Sequence, residues 1–562
     1  MPSAQPTPTS HAIVSSVDQN AFRPEPKWAS FIPGGYSHQR AIGLTGKPLI
    51  WVILAVSGCA ILFFGYDAGV MALVNVNPDY LRNMGTTSGT SRDAAANGGL
   101  VSLWFGGFLI GAILVGLYAD KIGRLKTMIV GCAWAAFGAA LQASAQNFTW
   151  MAFARIIGGI GCGHLNAVVP IWTSELADAH LRGAFVAVEF TLAVGGICGV
   201  YWIEYACLKT QGAGFAWRFP LALQIVFLII LVLVVPFMVE SPRHLAATAR
   251  YHEARHVLQK ARLNPSPEKI EAEMTEILDA IRLEARSTSK SYWSMLFTKD
   301  HLHTRRRLLL GAGVQVMQKF TGIDFITTYA PQMFALSGYS GTKSDILAGG
   351  NLISYTASLA LSIYLIDRVG RRKLMLIGCS VMGVLLIVGG VLAHLVNKNE
   401  ANEAQAQKFG AGVAAVLYLY TFAYGSTWLT VCWVYPTEIF PLASRAKGVA
   451  FATIAFSIAG GIVNEITPYL IKAIGFWIFI LFAFVNFGML VPIFLFYIET
   501  AGRHLEDLDL LFAGNSNIAW RAEKEYEAEK TSLDKEKAIL GPSVEQAEEI
   551  VEGGSKGVCV ET

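Results

Sequence analysis

Asp67 and Arg155 each stand inside a long apolar stretch, FFGYDAGV in one case and RIIGGIGCG in the other. An ionisable side chain near the centre of a bilayer costs at least ~2.5–3.5 kcal/mol on insertion scales, so it is rarely idle there. The segment holding Asp67 runs outward and the one holding Arg155 runs inward. At ~1.5 Å per residue, Asp67 (about 18 residues into its span) and Arg155 (about five residues into its own) fall at similar depth in the outer half of the membrane. A carboxylate paired with a permanently charged guanidinium is held ionised, and withdrawal of the guanidinium lets it take a proton. That is the chemistry of a proton switch, with a static ion pair as the plainer alternative. Gln318, Lys319 and Asp324 form a second group, ~10 to 16 residues into another outward-running segment, with Gly322 between them as a break point. Lys319 could hold a carboxylate of a solute or pair with Asp324; i to i+5 is a poor pairing on a regular helix, but a break at Gly322 would permit it. Glu189 and Glu465 also lie in apolar sequence, with no role assigned.

A third set of charges recurs along the chain. Asp120-Lys121-Ile122-Gly123-Arg124 returns as Asp367-Arg368-Val369-Gly370-Arg371. Glu175 and Arg182 return at the same spacing as Glu438 and Arg445, and Glu240-Ser241-Pro242-Arg243 is echoed by Glu499-Thr500-Ala501-Gly502-Arg503. Each return comes about 250 residues later, so the chain reads as a duplicated half, and an apolar protein of two like halves reads as a transporter with its site between them. Asp120, Arg124, Glu175, Arg182, Glu240, Asp367, Arg371, Glu438, Arg445 and Glu499 are candidates for a cytoplasmic gate. Their ion pairs would exist only when the cytoplasmic face is closed and would bias the exchange between inward-open and outward-open states. Bases placed for membrane insertion alone would explain the Lys and Arg but not the recurring acids.

Membrane helices must position these groups. The 562 residues are 53% hydrophobic and 15% charged with 54 glycines, and the apolar residues come in runs long enough to cross a bilayer, which excludes an ordinary globular enzyme. Twelve helices are expected at 49-72, 97-119, 127-146, 150-173, 185-206, 217-239, 307-336, 346-366, 374-395, 409-434, 446-470 and 474-498. The basic residues fall in the loops after helices 2, 4, 6, 8 and 10, all on one side, which makes that side and both termini cytoplasmic. The expected organisation is an N-terminal segment 1-48, a six-helix half 49-239, a linker 240-306, a second half 307-498 and a tail 499-562. The linker carries the apolar spacing of amphipathic helices, and the charged tail reads as helical near 520-540. No secretory signal peptide is evident in 1-48. The formal net charge of +3 is spread over loops and gives no case for nucleic acid. Seven of the eight cysteines lie in or beside the expected helices and read as buried thiols, Cys559 sits in the tail, no pair has metal-ligand spacing, and no cofactor or metal is implied.

FFGYDAGV at 63-70, the two D-x-x-G-R motifs, RIIGGIGCG at 155-163, PIWTSELADAHLRG at 170-183, ESPRHL at 240-245, QKFTGIDFITTYAP at 318-331 and PTEIFP at 436-441 occur in family order. Together, over 49-510, they resemble the sugar porter family of the major facilitator superfamily, most closely its fungal members. The resemblance implies an all-α membrane protein with the major facilitator fold, twelve transmembrane helices in two pseudo-symmetric six-helix halves. It implies proton symport at the positions of Asp67 and Arg155, sugar-contacting amides on helix 7, and a ring at Trp428 for the apolar face of a sugar. Several positions depart from the family pattern. Lys319 and Asp324 replace a Gln and an Asn, Phe190 stands at the Gln of helix 5 with Glu189 beside it, Phe456-Ser457 replaces Asn-Trp in helix 11, and Leu429-Thr430 replaces the Gly-Pro hinge of helix 10.

The expected protein is a multi-pass transporter of the plasma membrane, not an enzyme. It would import a sugar or related polyhydroxylated solute with protons, and its partners would be that solute, protons and the lipid bilayer. A polyol, an organic acid such as quinate, or a secondary metabolite is the alternative cargo. A nutrient sensor built on a transporter fold is the alternative class, hinted at by the charged tail alone.

Overall fold

The computed structural model describes residues 43–540 apart from 89, 178–181, 211, 264, 287–302, 340, 400–401, 442–444, 504–507, 509–510 and 513–515. Helices are the only regular structure among these residues. Within a bilayer every backbone N–H and C=O must find its partner inside the segment, which an α-helix achieves. Among the described residues, eleven helices are long and apolar enough to cross a membrane. In the first half these are α1 (Lys47–Gly69), α2 (Ser91–Ile122), α3 (Arg124–Ala143), α4 (Phe148–Leu176), α5 (Arg182–Thr210) and α6 (Ala213–Val234). Large apolar side chains such as Leu117, Leu233, Phe484 and Val491 face away from the bundle, as a lipid-facing surface requires.

The twelfth span, α7, is broken into Thr304–Phe320, Ile323–Thr327 and Ala330–Leu336. Gly322 makes the break with a φ of 101°. The Thr321 carbonyl freed there accepts from Tyr420 Oη at 2.9 Å and Asn486 Nδ2 at 2.8 Å, so the break is satisfied by neighbouring helices. The second half continues with α8 (Thr342–Val369), α9 (Arg371–Lys398), α10 (Glu403–Tyr424, running on into Thr430–Ile439), α11 (Arg445–Ile474) and α12 (Trp477–Phe496). Leading into Leu429-Thr430, the pair that replaces the family's Gly-Pro, α10 takes a π-helical turn at Gly425–Leu429.

The two halves repeat one packing scheme. α2 packs on α4, α3 on α4, α1 on α5 and α3 on α6; α8 on α10, α9 on α10, α7 on α11 and α9 on α12 are their counterparts. Between the halves α2 meets α11 and α8 meets α5, contacts that exchange under the same pseudo-symmetry. Helices Pro242–Ala247, Tyr251–Ala261 and Pro267–Arg286 pack beneath the first half at the end that carries the basic loops, where Arg262 Nη1 donates to Leu176 O at 2.6 Å. A tail helix, Ala519–Leu540, lies against the second half, with Trp520 on Phe494 and Glu523 near Arg372.

Candidate transport site

Glycines let α2 and α4 approach closely enough to assemble the first group. A Cβ at Gly159 would fall 2.3 Å from Trp104 O, and one at Gly107 would fall 2.1 Å from Ile156 O. Asp67 and Arg155 are both about 1% exposed. Arg155 Nη1 lies 3.7 Å from Asp67 Oδ1, a loose pair, because the guanidinium gives its hydrogen bonds to Gln142 Oε1 (3.2 Å) and Leu100 O (3.3 Å). Asp67 Oδ2 takes Trp104 Nε1 at 2.6 Å and Cys162 Sγ at 3.2 Å, while Oδ1 has no hydrogen-bond partner. The carboxylate is thus half satisfied, with one oxygen turned toward a cation it does not grip.

The break at Gly322 brings the second group together. Lys319 Nζ reaches both carboxylate oxygens of Asp324, at 3.0 and 2.9 Å, and Asn464 Nδ2 of α11 donates to Asp324 Oδ2 at 2.9 Å. The ammonium also lies over the rings of Phe456 (4.2 Å) and Phe105 (5.0 Å), and Phe105 belongs to the other half. Gln318 Nε2 donates to Tyr424 Oη at 2.9 Å, leaving its carbonyl oxygen unpartnered. Trp428 is fully enclosed within the second half, its Nε1 donating to Met375 O at 3.1 Å and its ring against Gly378. The tryptophan of α10 that reaches the other half is Trp433, whose ring centroid is 5.6 Å from Phe190 of α5 and 5.2 Å from Phe456 of α11. Sequence reasoning passed over Trp433; its neighbours are the two positions already marked as departures, Phe190 and Phe456.

The halves touch away from the basic end. Ser102 Oγ donates to Gly461 O at 2.8 Å, Tyr201 Oη to Asp345 O at 2.9 Å, and Lys209 Nζ to Thr342 Oγ1 at 2.6 Å. Glu465 joins this seam, its carboxyl within reach of the Ser102 hydroxyl. These contacts join the two halves at the far end.

At the basic end the third group forms two matching clusters. Arg124 pairs with Glu175 through two hydrogen bonds, at 3.1 and 3.2 Å, and with Asp120 at 3.0 Å. Arg371 pairs with Glu438 at 2.8 Å and Asp367 at 3.0 Å. Glu240 and Glu499 do something ion-pair reasoning did not foresee: they cap helices. Glu240 accepts from Arg124 N and Leu125 N at the start of α3, and Glu499 accepts from Arg371 N and Lys373 N at the start of α9. A carboxylate at a helix N-terminus meets unsatisfied N–H groups and the positive end of the dipole. Gly123 and Gly370, both at φ 96°, leave room for it, since a Cβ at either would lie 2.6 or 2.5 Å from the capping oxygen. His244 stands beside this cluster, its Nδ1 3.5 Å from Arg124 Nη1, and burial holds its imidazole below the usual range. Each of these pairs is made within one half, in a conformation whose halves are joined at the far end. Arg445 Nε lies 3.4 Å from Phe440 O, and the side chain of Arg182 is outside the described residues.

A profile of the family described as "Sugar (and other) transporter" matches residues 51–512. The chain belongs to this family. Among its relatives, the MFS-type transporter oryC of Aspergillus oryzae is 34% identical over 527 residues, covering 90% of this chain and 96% of the relative. The sugar transporter STL1 of Saccharomyces cerevisiae is 30% identical, covering 84% of this chain and 82% of that one. The galactose-proton symporter of Escherichia coli is 29% identical, covering 78% of this chain and 89% of that one. The structure of the proton:xylose symporter XylE bound to 6-bromo-6-deoxy-D-glucose superposes with a TM-score of 0.70 at 22% identity, covering 83% of this chain and all of that one. The protein is therefore a multi-pass major facilitator superfamily transporter, and its relatives are membrane transporters rather than enzymes.

Proposed function

We propose that the protein imports a sugar or related polyhydroxylated solute together with protons, by alternating access of the two halves to a central site. The basic end faces the cytoplasm, as the loop charges require, and the plasma membrane is the site of action. Asp67 takes a proton when Arg155 withdraws and returns it when the pair re-forms. The observation that carries this reading is the loose, fully buried Asp67–Arg155 pair, with one carboxylate oxygen free of hydrogen bonds. Names among the relatives and structural neighbours, a galactose-proton symporter and a proton:xylose symporter, agree with it. Gln318, Lys319 and Asp324 set the solute from the α7 break, with Trp433 as the aromatic plate that faces the cleft and Trp428 as its support. The charge clusters at the cytoplasmic ends hold the helices of each half as a unit, so that the halves move as bodies.

Phe190 and Phe456 favour a second cargo, because aromatic rings stand in the cleft where hydroxyl-binding amides were expected. A less hydroxylated metabolite or an organic acid such as quinate fits that lining. Uptake of labelled hexoses, pentoses, polyols and quinate in transport-deficient cells separates these readings, and uptake of none with a signalling defect on loss of the tail returns the sensor. For the solute found, Asp67→Asn should abolish accumulation and retain exchange, because it removes the titratable group and keeps the shape. Accumulation unchanged in Asp67→Asn, in cells whose wild type ignores an uncoupler, would make the protein a facilitator.

A further inference from the structure

Glu189 of α5 is buried in the first half, 6% exposed, with Oε1 free of any partner. Among the described residues, the hydroxyls of Ser57 on α1 and Thr173 on α4 are the polar groups within hydrogen-bond reach of its carboxyl. Both hydroxyl protons are already committed to their own helices: Ser57 Oγ donates to Leu54 O at 3.2 Å and Thr173 Oγ1 donates to Val169 O at 2.8 Å. A hydroxyl has one proton to give and two lone pairs to offer, so in these rotamers each can accept from a protonated Glu189, and by swinging off its own helix each can donate to the carboxylate instead. An acid –COOH satisfies such a nest by donating into it, whereas a carboxylate needs the hydroxyls to swing or water to enter.

On the helices packed against α5, His164 of α4 meets Tyr118 Oη, Arg368 of α8 lies over Tyr364, and Lys47 and Lys343 stand in the first turns of α1 and α8. On α1, Asp67 lies 3.7 Å from Arg155 and bonds to Trp104 and Cys162; on α4, Glu175 is bound to Arg124. Arg218 of α6 donates to Ala143 O, Asp345 of α8 lies at the far end beside Tyr201, and Asp367 of α8 is paired with Arg371. Position along α1 sets the height: Ser57 precedes Asp67 by ten residues, so Glu189 lies about 15 Å nearer the basic end than Asp67. Its neighbour Phe190 touches Trp433 of the opposite half, so motion between the halves alters what shields Glu189 from the cleft.

We infer that Glu189 is a second proton-binding site of the transport cycle, the inner station from which the proton carried by Asp67 is released to the cytoplasm. The inference rests on the proton-symport reading. The steps balance without a further reactant: the O–H bond at Asp67 breaks as its pair with Arg155 re-forms, water entering the opened cleft carries the proton inward, an O–H bond forms at the Glu189 carboxylate, and that proton then leaves to cytoplasmic water. A chain of buried acids is the usual means by which membrane proteins pass protons, each station being costly to keep charged.

The full chain, purified in detergent, is titrated while infrared difference spectra follow the carbonyl stretch of protonated carboxyls. A band lost in Glu189→Gln and kept in Asp67→Asn is expected. In vesicles loaded with the solute identified by the uptake panel, Glu189→Gln should lower accumulation at least tenfold and flatten the dependence on internal pH. Exchange should survive, and Glu189→Asp should restore the internal-pH profile, which a merely structural role would not require. Spectra of Glu189→Gln that superimpose on the wild type at every pH would overturn the inference, as would an unchanged internal-pH profile in an uncoupler-sensitive wild type. An uncoupler-insensitive wild type would instead refute proton symport itself, and with it the role given to Glu189.

Discussion

Lys319→Gln removes the cation from a pair that is nearly desolvated, its side chains 9% and 11% exposed and joined at 2.9 Å. Breaking a buried pair by deleting one partner costs about 3–5 kcal/mol, because the survivor is left charged without a counter-ion. Asp324 would keep the Asn464 amide, a hydrogen bond to a charged group worth about 1.5–3 kcal/mol, so the lower end of that range, about 3 kcal/mol, is expected. The ammonium's two ring contacts, with Phe456 and Phe105, add about 0.5–2 kcal/mol that a neutral amide forfeits. Adding Asp324→Asn leaves two amides of similar size and no buried charge, which should bring stability back to within about 1 kcal/mol of wild type. The double-mutant cycle in mixed detergent micelles should therefore return a coupling of about 2 kcal/mol or more. If the pair sets the solute, the rescued double variant should also shift its competition profile toward neutral hexoses. A coupling below about 0.5 kcal/mol would refute the pairing as an energetic unit. An unchanged competition profile in a stable double variant would remove Lys319 from the site.

Two further outcomes follow from the same geometry. Arg124→Ala or Arg371→Ala should loosen the helix ends that each cluster ties together within its half and raise labelling of a reporter cysteine placed between those helix ends, about tenfold for each 1.4 kcal/mol lost from the clustered arrangement; normal labelling with normal transport would leave those bases only a role in insertion. Trp428→Ala should cost about 3–5 kcal/mol of stability, since it empties a fully buried site. Trp433→Ala should spare stability and weaken the apparent affinity for solute by about 0.5–1.5 kcal/mol, and equal effects of the two changes on competition would refute the division of labour.

The twelve spans and their pairing into like halves were legible because apolar runs of membrane length and a repeated charge motif survive in the sequence without any knowledge of packing. The Lys319–Asp324 contact was legible as an option, because Gly322 can take a backbone that no other residue adopts easily. Which tryptophan of α10 faces the cleft was not legible. A π-helical turn adds a residue to the local repeat, so the face presented after Gly425–Leu429 is rotated by about 100° from the one an unbroken α-helix would present. The helix-capping role of Glu240 and Glu499 was hidden for a similar reason. An acid near an arginine in sequence invites an ion pair, whereas the bond made here is to backbone N–H groups exposed by a left-handed glycine some 120 residues away.

α2 ties these pieces into one mechanism. Trp104 and Phe105 are consecutive, so on a helix they point about 100° apart. Trp104 donates to Asp67 at 2.6 Å within its own half, while Phe105 lies under the Lys319 ammonium of the other half and against Phe456. A change in how Asp67 is held therefore acts on the helix that carries the aromatic contact between the halves. Ser102 and Gly98 of the same helix lie on the seam with α11 at the far end, where a Cβ at Gly98 would fall 2.7 Å from Glu465 O. Packing that close admits no gradual adjustment: the two helices either remain in register or separate, so on the proposed proton-symport reading a proton bound at Asp67 would act on an arrangement with two discrete states.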